Sequence, residues 1–93
     1  MNMQSMMAEA QRMQKELQRK MDEFKAKAFE YSYKNGAVVV IIGGDFTIQS
    51  INIDKVLIDP DDKKTLEEMV SEAVNAAIKG VEEDQKAIQN SIK

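Results

Sequence analysis

The sequence predicts a small α+β domain with the order helix, three strands, helix, in which the strands form an antiparallel meander. Three observations support this. Apolar residues recur every three or four positions over residues 3–28, at every second position over much of 29–53, and again at helical spacing over 61–92. With 93 residues and no linker of low complexity, we expect one domain that spans residues 1–93.

The first helix is expected over about residues 3–28. This segment has no Gly or Pro and is rich in Gln, Glu, Lys, Arg and Met, which favour helix. Its apolar stripe consists of Met3, Met6, Ala10, Met13, Leu17, Met21, Phe24 and Ala28. The stripe is close to a heptad seam, so it indicates packing in a core or against a second chain rather than a Met-rich ligand site.

The central segment predicts three strands joined by two tight turns. The strands are expected at about 29–34, 37–42 and 46–53. Asn35-Gly36 is a strong hairpin signal, because both residues tolerate the positive φ of a type I′ turn. Gly43-Gly44 indicates the second turn, and a slip in the alternation at Gln49-Ser50 predicts a β-bulge.

The second helix is expected over about residues 61–92. Pro60 suits a first helical turn, and Thr65 with Glu68 has the spacing of a capping box. The stripe on this helix consists of Leu66, Val70, Ala73, Ala77, Val81, Ile88 and Ile92. Gly80 lies inside the helix, where it is unfavourable relative to Ala, and indicates a close helix contact or a slight bend.

The residue types exclude most catalytic chemistry. The chain has no Cys and no His, which excludes disulfides, thiolate or imidazole metal sites, a Cys nucleophile and a His base. The Gly43-Gly44 turn leads into a strand without a nearby Lys, unlike a phosphate-binding loop. Asp59, Asp61 and Asp62 are explained by helix capping. We expect no enzyme activity, cofactor, bound metal or small-molecule substrate.

The longest apolar run has six residues, too short for a membrane span or the core of a signal peptide. We therefore expect a soluble protein of the cytoplasm, with no membrane partner.

A domain of this size buries little surface alone, so we expect a homodimer. The unbroken apolar run of the middle strand needs cover on both faces. The candidate dimer-interface residues are Val38, Val40, Ile42, Met13, Leu17 and Met21.

Charge is unevenly distributed along the chain. The formal net charge is −3, yet residues 1–36 hold seven basic and five acidic residues. Arg12, Lys15 and Arg19 lie within roughly 60° of one another on the first helix, opposite its apolar stripe. This face is either a solvated mixed-charge surface or a site for nucleic acid. Further candidates are Lys20 and Lys27 beside this face and, more weakly, Lys79, Lys86 and Lys93 on the second helix.

Four strings follow one another along the chain: MMAEAQRMQKELQRKMDEF, the apolar strand that follows Gly36, INIDKVLIDPDD and TLEEMVSEAVNAAIKGVEE. In this order and spacing they resemble those of the YbaB/EbfC family of nucleoid-associated DNA-binding proteins. The resemblance implies an intertwined homodimer with a shared sheet layer and two projecting helical arms. It also implies binding of double-stranded DNA in the bacterial nucleoid, with Arg12, Lys15, Arg19 and Lys20 as proposed contacts.

A second function is compatible with the sequence. The acidic pI of about 4.9 and the Met-rich helix also suit a protein-interaction dimer that holds a partner on its Met-lined helices and does not bind DNA.

Overall fold

A computed structural model describes residues 2–91 of the chain. Its elements are α1 (Met3–Ala26), β1 (Ala28–Tyr33), β2 (Val38–Gly43), β3 (Ile48–Ile53), a short 3-10 helix (Lys55–Leu57) and α2 (Lys63–Ser91). The strands form one antiparallel sheet in the order β1-β2-β3. The predicted α-β-β-β-α fold class is confirmed. Ile92 and Lys93 lie outside the described residues.

The long helix α1 extends away from the body of the molecule. Asn2 caps it, accepting the Ser5 backbone N–H at 2.8 Å on its side-chain oxygen. All residues from Asn2 to Arg12 are exposed, and Met13 is the first half-buried position. The molecule measures 71 × 17 × 17 Å as a result. The helix ends before Ala28, two residues earlier than predicted, because Lys27 is already extended and Ala28 pairs in the sheet.

The register of the sheet places alternate residues on opposite faces. Tyr31 pairs with Val40, and Val40 pairs with Ile51 on the other side. The register shifts between Ile41 and Ile42, which leaves Gln49 as the extra residue of β3. The predicted β-bulge is therefore confirmed at this place.

The two turns use their glycines differently. In the first, Asn35 and Gly36 have φ of 56° and 88°, as a type I′ turn requires. In the second, the positive φ of 66° belongs to Phe46. Gly44 instead lets α1 approach the turn, because a Cβ there would overlap the carbonyl of Phe24. The prediction located the second turn and missed this packing role.

The core lies between α2 and one face of the sheet. Its buried side chains come from β2, from α2 and from the end of α1, and Tyr31 and Tyr33 of β1 pack against them. The buried hydrophobic residues are Phe24, Val38, Val40, Ile42, Ala73, Ala77 and Val81. Gly80 contacts the ring of Tyr31, which explains a glycine inside α2 as a close helix contact.

This core corrects the assignment of the middle strand to a dimer interface. Val38, Val40 and Ile42 have no exposed area in the single chain, because the chain's own α2 covers them. The opposite face of β2 carries Val39 and Ile41, which are half-buried. A partner chain that packs on this strand would therefore contact Val39 and Ile41.

The start of α2 also differs from the predicted capping. The helix begins at Lys63, and the Thr65 hydroxyl donates to the Asp62 carboxylate at 2.9 Å. Thr65 therefore lies within the first turn and does not form the predicted capping box with Glu68. Glu68 pairs instead with Lys64, at 4.0 Å.

Candidate nucleic-acid interface

The strongest concentration of exposed basic residues in the described chain lies along α1. Arg12, Lys15 and Arg19 are exposed and follow one another at steps of three and four residues, which places them on one side of the helix. We call these three residues the basic face. Phe24 anchors the opposite side of α1 in the core. The basic face is therefore turned to solvent by the same packing that attaches the helix.

Acidic residues one turn away partly neutralise the basic side chains of α1. Arg12 lies 3.7 Å from Glu9, and Arg19 lies 2.8 Å from Glu23. The Arg12 and Arg19 side chains remain 76 % and 59 % exposed. Exposed ion pairs of this kind contribute little, typically about 0.2–1 kcal/mol, so a phosphate can replace the carboxylate at small cost.

Two other candidate residues of α1 lie apart from the basic face. Lys20 is half-buried on its flank and lies 3.9 Å from Glu16. Lys27 caps the end of the helix, where its carbonyl accepts the Gly44 N–H at 3.0 Å. The α-helix rises about 1.5 Å per residue, so Lys27 lies roughly 22 Å from Arg12 along the axis of α1. The structure brings Arg12, Lys15 and Arg19 together and leaves Lys27 at the junction with the sheet.

The lysines of α2 form a weaker surface. Lys79 and Lys86 are exposed and lie one heptad apart, on the side of α2 away from the sheet. Glu72, Glu82 and Glu83 lie on the same exposed side of the helix. Lys93 lies outside the described residues. Attraction of a polyanion to this surface is therefore reduced by its own carboxylates.

A pair of tyrosine–carboxylate contacts joins β1 to α2. The Tyr31 hydroxyl donates to Asp84 at 3.5 Å, and the Tyr33 hydroxyl donates to Glu72. The pKa of Tyr31 is raised, first by burial and then by the charge of Asp84. The pKa of Tyr33 is raised mainly by its hydrogen bond to Glu72. Our sequence reasoning missed these contacts, although the alternation in β1 places both tyrosines on one face.

Within residues 2–91 the structure contains no cluster of three or more acidic side chains placed to hold a metal ion. The carboxylates of the acidic segment before α2 accept hydrogen bonds from nearby residues. Asp59 accepts the Asp61 N–H at 2.9 Å, and Asp62 accepts the Thr65 hydroxyl.

No helix among the described residues is long and apolar enough to cross a membrane. The grooves found on α1 are shallow and open.

The remaining dimer-interface candidates are on the apolar side of α1. Met13, Leu17 and Met21 are half-buried, so each keeps part of its surface for a partner. Farther from the body, Met3, Met6 and Met7 are 77 %, 53 % and 59 % exposed. The apolar side of α1 thus becomes progressively uncovered toward the start of the helix.

An exposed basic helix on a small α+β body is typical of a nucleic-acid-binding protein. Comparison with known proteins agrees with this class. The chain belongs to the YbaB/EbfC DNA-binding family, whose model matches residues 1–93. This confirms the family resemblance drawn from the sequence.

Several relatives carry informative names. The chain is 41 % identical over 88 residues to a nucleoid-associated protein of Malacoplasma penetrans, covering 95 % of this chain and 93 % of that one. It is 43 % identical over 82 residues to a nucleoid-associated protein of Lactococcus lactis, covering 88 % and 83 %. An uncharacterized protein of Mycoplasma pneumoniae, the MG134 homolog, is 56 % identical over 73 residues, covering 78 % and 70 %.

The fold also occurs in a solved structure. The crystal structure of an uncharacterized protein, HP0035 from Helicobacter pylori, matches with a TM-score of 0.76 at 23 % identity. The match covers 98 % of this chain and 96 % of that one. At this identity it supports the α-β-β-β-α fold and carries no statement about function.

Proposed function

We propose that this protein binds double-stranded DNA as a nucleoid-associated homodimer in the bacterial cytoplasm. The observation that carries the proposal is the basic face of α1, exposed along a helix that extends beyond the body. Family membership and the names of the relatives from Malacoplasma and Lactococcus support the same function. Arg12, Lys15 and Arg19 bind phosphate, with Lys20 as an additional contact and Lys27, Lys79 and Lys86 as weaker ones.

The proposed contacts position the protein on DNA without reading its sequence. Arginine and lysine side chains bind phosphate oxygens, which are the same in every base pair. Sequence preference therefore arises weakly, through the shape and deformability of the duplex.

Charge reversal on the basic face tests this proposal. We expect R12E/R19E to weaken binding to duplexes of unrelated sequence by at least tenfold, because two phosphate contacts are replaced by repulsion. The measurement is fluorescence anisotropy of a labelled duplex at low salt.

The matched control is K63E/K64E on α2. These lysines also pair with glutamates four residues later, at 3.4 Å and 4.0 Å, and the net charge changes equally. The control should bind nearly as the natural chain does. Equal losses in both variants, or no binding by the natural chain, would contradict the proposed role of α1.

Homodimer formation is the second part of the proposal. Its support is the large apolar surface that the single chain leaves in water, including Met3, Val56 at 81 % exposure and Ile58 at 61 %. Light scattering at tens of micromolar should give about twice the 10.5 kDa mass of the chain. A constant 10.5 kDa species across that range would refute the dimer.

The exposed methionines also support a different function, an interaction dimer that holds a partner protein and does not bind DNA. Flexible thioether side chains adapt to varied partner surfaces. Affinity purification with and without nuclease separates the two functions. Partners that persist after nuclease treatment, with no DNA recovered, would favour the interaction protein.

A further inference from the structure

We propose that Met3, Met6 and Met7 form an oxidation site, at which hydrogen peroxide converts the three thioethers to sulfoxides and thereby unwinds the first turns of α1. We call these three side chains the thioether cluster. The inference rests on the exposure of the cluster and on the lack of packing around it. It does not depend on DNA binding.

The composition of the chain concentrates oxidisable side chains on α1. There is no Cys, Trp or His, so methionine is the residue type that mild oxidants attack most readily. Of the seven methionines, only Met69 follows Met21 in the sequence. The thioether cluster supplies three of them within five positions. An oxidant that reaches this protein therefore finds its main targets near the start of one helix.

Exposure separates the thioether cluster from the other methionines of residues 2–91. Each side chain of the cluster is more than half exposed, and the three line one open groove on the surface of α1. The other methionines, Met13, Met21 and Met69, are half-buried. Because peroxide must reach a lone pair of the sulfur, the thioether cluster reacts first.

Met7 stays accessible even when the apolar stripe of α1 is covered. At about 100° per residue, Met7 lies roughly 80° from the centre of that stripe. Its neighbours three residues before and four residues after are Gln4 and Gln11, which are both exposed. A second helix packed on the stripe would lie beside Met7, so the Met7 sulfur keeps contact with water in a dimer.

The reaction at each sulfur needs only peroxide. A sulfur lone pair attacks one peroxide oxygen, the O–O bond breaks and an S=O bond forms. The proton on the transferred oxygen passes to the departing hydroxide, which leaves as water, so sulfur loses two electrons and peroxide gains them. A methionine sulfoxide reductase reverses the change with two thiols, which become a disulfide while the oxygen leaves as water.

The first turns of α1 depend on the helix propensity of their own residues. Residues 2–12 are exposed and residues 2–8 have no charged side chain, so the Asn2 cap is the main local support. Met favours helix, and such an unpacked segment is marginal in water. A sulfoxide oxygen competes for backbone N–H groups, as the side chains of Ser and Asn do. Three sulfoxides within five residues therefore unwind the segment from Met3 to about Ala10.

Two complementary triple variants test the site. In M3L/M6L/M7L, leucine keeps the size and helix propensity of the thioether cluster and resists peroxide. In M13L/M21L/M69L, the half-buried methionines are replaced instead. After peroxide treatment, the natural chain and M13L/M21L/M69L should lose about 15 % of their helical circular-dichroism signal, because about eight residues of α1 unwind. M3L/M6L/M7L should keep its signal.

Peptide mass spectrometry and enzymatic repair complete the test. The thioether cluster should be oxidised at least about fivefold faster than Met13, Met21 and Met69. The two classes of methionine sulfoxide reductase, supplied with dithiothreitol, should restore the helical signal, because each class reduces one sulfoxide epimer. Equal oxidation rates at all these positions would overturn the site. An unchanged signal in the fully oxidised natural chain, or an equal loss in M3L/M6L/M7L, would overturn the unwinding.

Discussion

Gly44 is the residue on which the attachment of α1 depends most directly. Its N–H donates to the Lys27 carbonyl at 3.0 Å, and its missing side chain leaves room for the last turn of the helix. The backbone at Phe24 fills that room, so no rotamer change can relieve a clash there. At Gly80, by contrast, the neighbouring atoms belong to the ring of Tyr31, which can turn.

This difference predicts unequal effects of the same substitution. We expect Gly44→Ala to lower the free energy of unfolding by about 3 kcal/mol, which is the upper end of the usual range for overpacked cores. Gly80→Ala should cost less, because improved helix propensity of about 1 kcal/mol offsets part of the strain at Tyr31. Urea unfolding followed by circular dichroism measures both. A Gly44→Ala chain as stable as the natural one would show that the helix end is not held at this turn.

At the scale of elements, periodicity predicted the type and order of the two long helices and the three strands, because a helical or an alternating pattern needs only local sequence. It did not predict the short 3-10 helix at Lys55–Leu57. It could not show which face of β2 is covered by α2, since Val38 and Ile41 are equally apolar. The alternation in β1 does distinguish the two faces, because Tyr31 and Tyr33 lie on the face that packs against the core. Tyr31 pairs with Val40, so Val40 lies on the same face. The basic face followed from helical spacing alone, whereas the contact of Gly44 with α1 depends on tertiary packing.

The acidic residues of α1 provide a prediction for this element. Glu9, Glu16 and Glu23 each lie within ion-pair distance of a basic residue proposed to bind phosphate. Neutralising all three with Gln should tighten DNA binding about tenfold, because each exposed pair costs about 0.2–1 kcal/mol to replace. Filter binding at fixed salt checks this. The control E67Q/E68Q removes two carboxylates, paired with Lys63 and Lys64 on α2, and an equal gain per carboxylate removed would assign the effect to net charge.

For the whole molecule, the position of the charges determines attraction to DNA more than the net charge does. The net charge is −3, yet the carboxylates of α2 lie on the body while the basic face lies along the extended helix. At physiological salt the screening length is about 8 Å, short relative to the 71 Å length of the molecule. The basic face therefore acts on DNA largely independently of the acidic body.

The dependence of affinity on salt tells how many basic faces contact one duplex. Two basic faces of a homodimer on the same DNA bring six residues and give a slope of log affinity against log salt of about −5. A single basic face brings only Arg12, Lys15 and Arg19, which predicts a slope of about −3. We expect the steeper value from anisotropy titrations of one short duplex between about 50 and 200 mM salt, because a homodimer presents two copies of the basic face. R12E/R19E should reduce the slope, because it removes two of the three contacts in each basic face. A slope of about −3 would show that only one basic face of the dimer contacts the duplex.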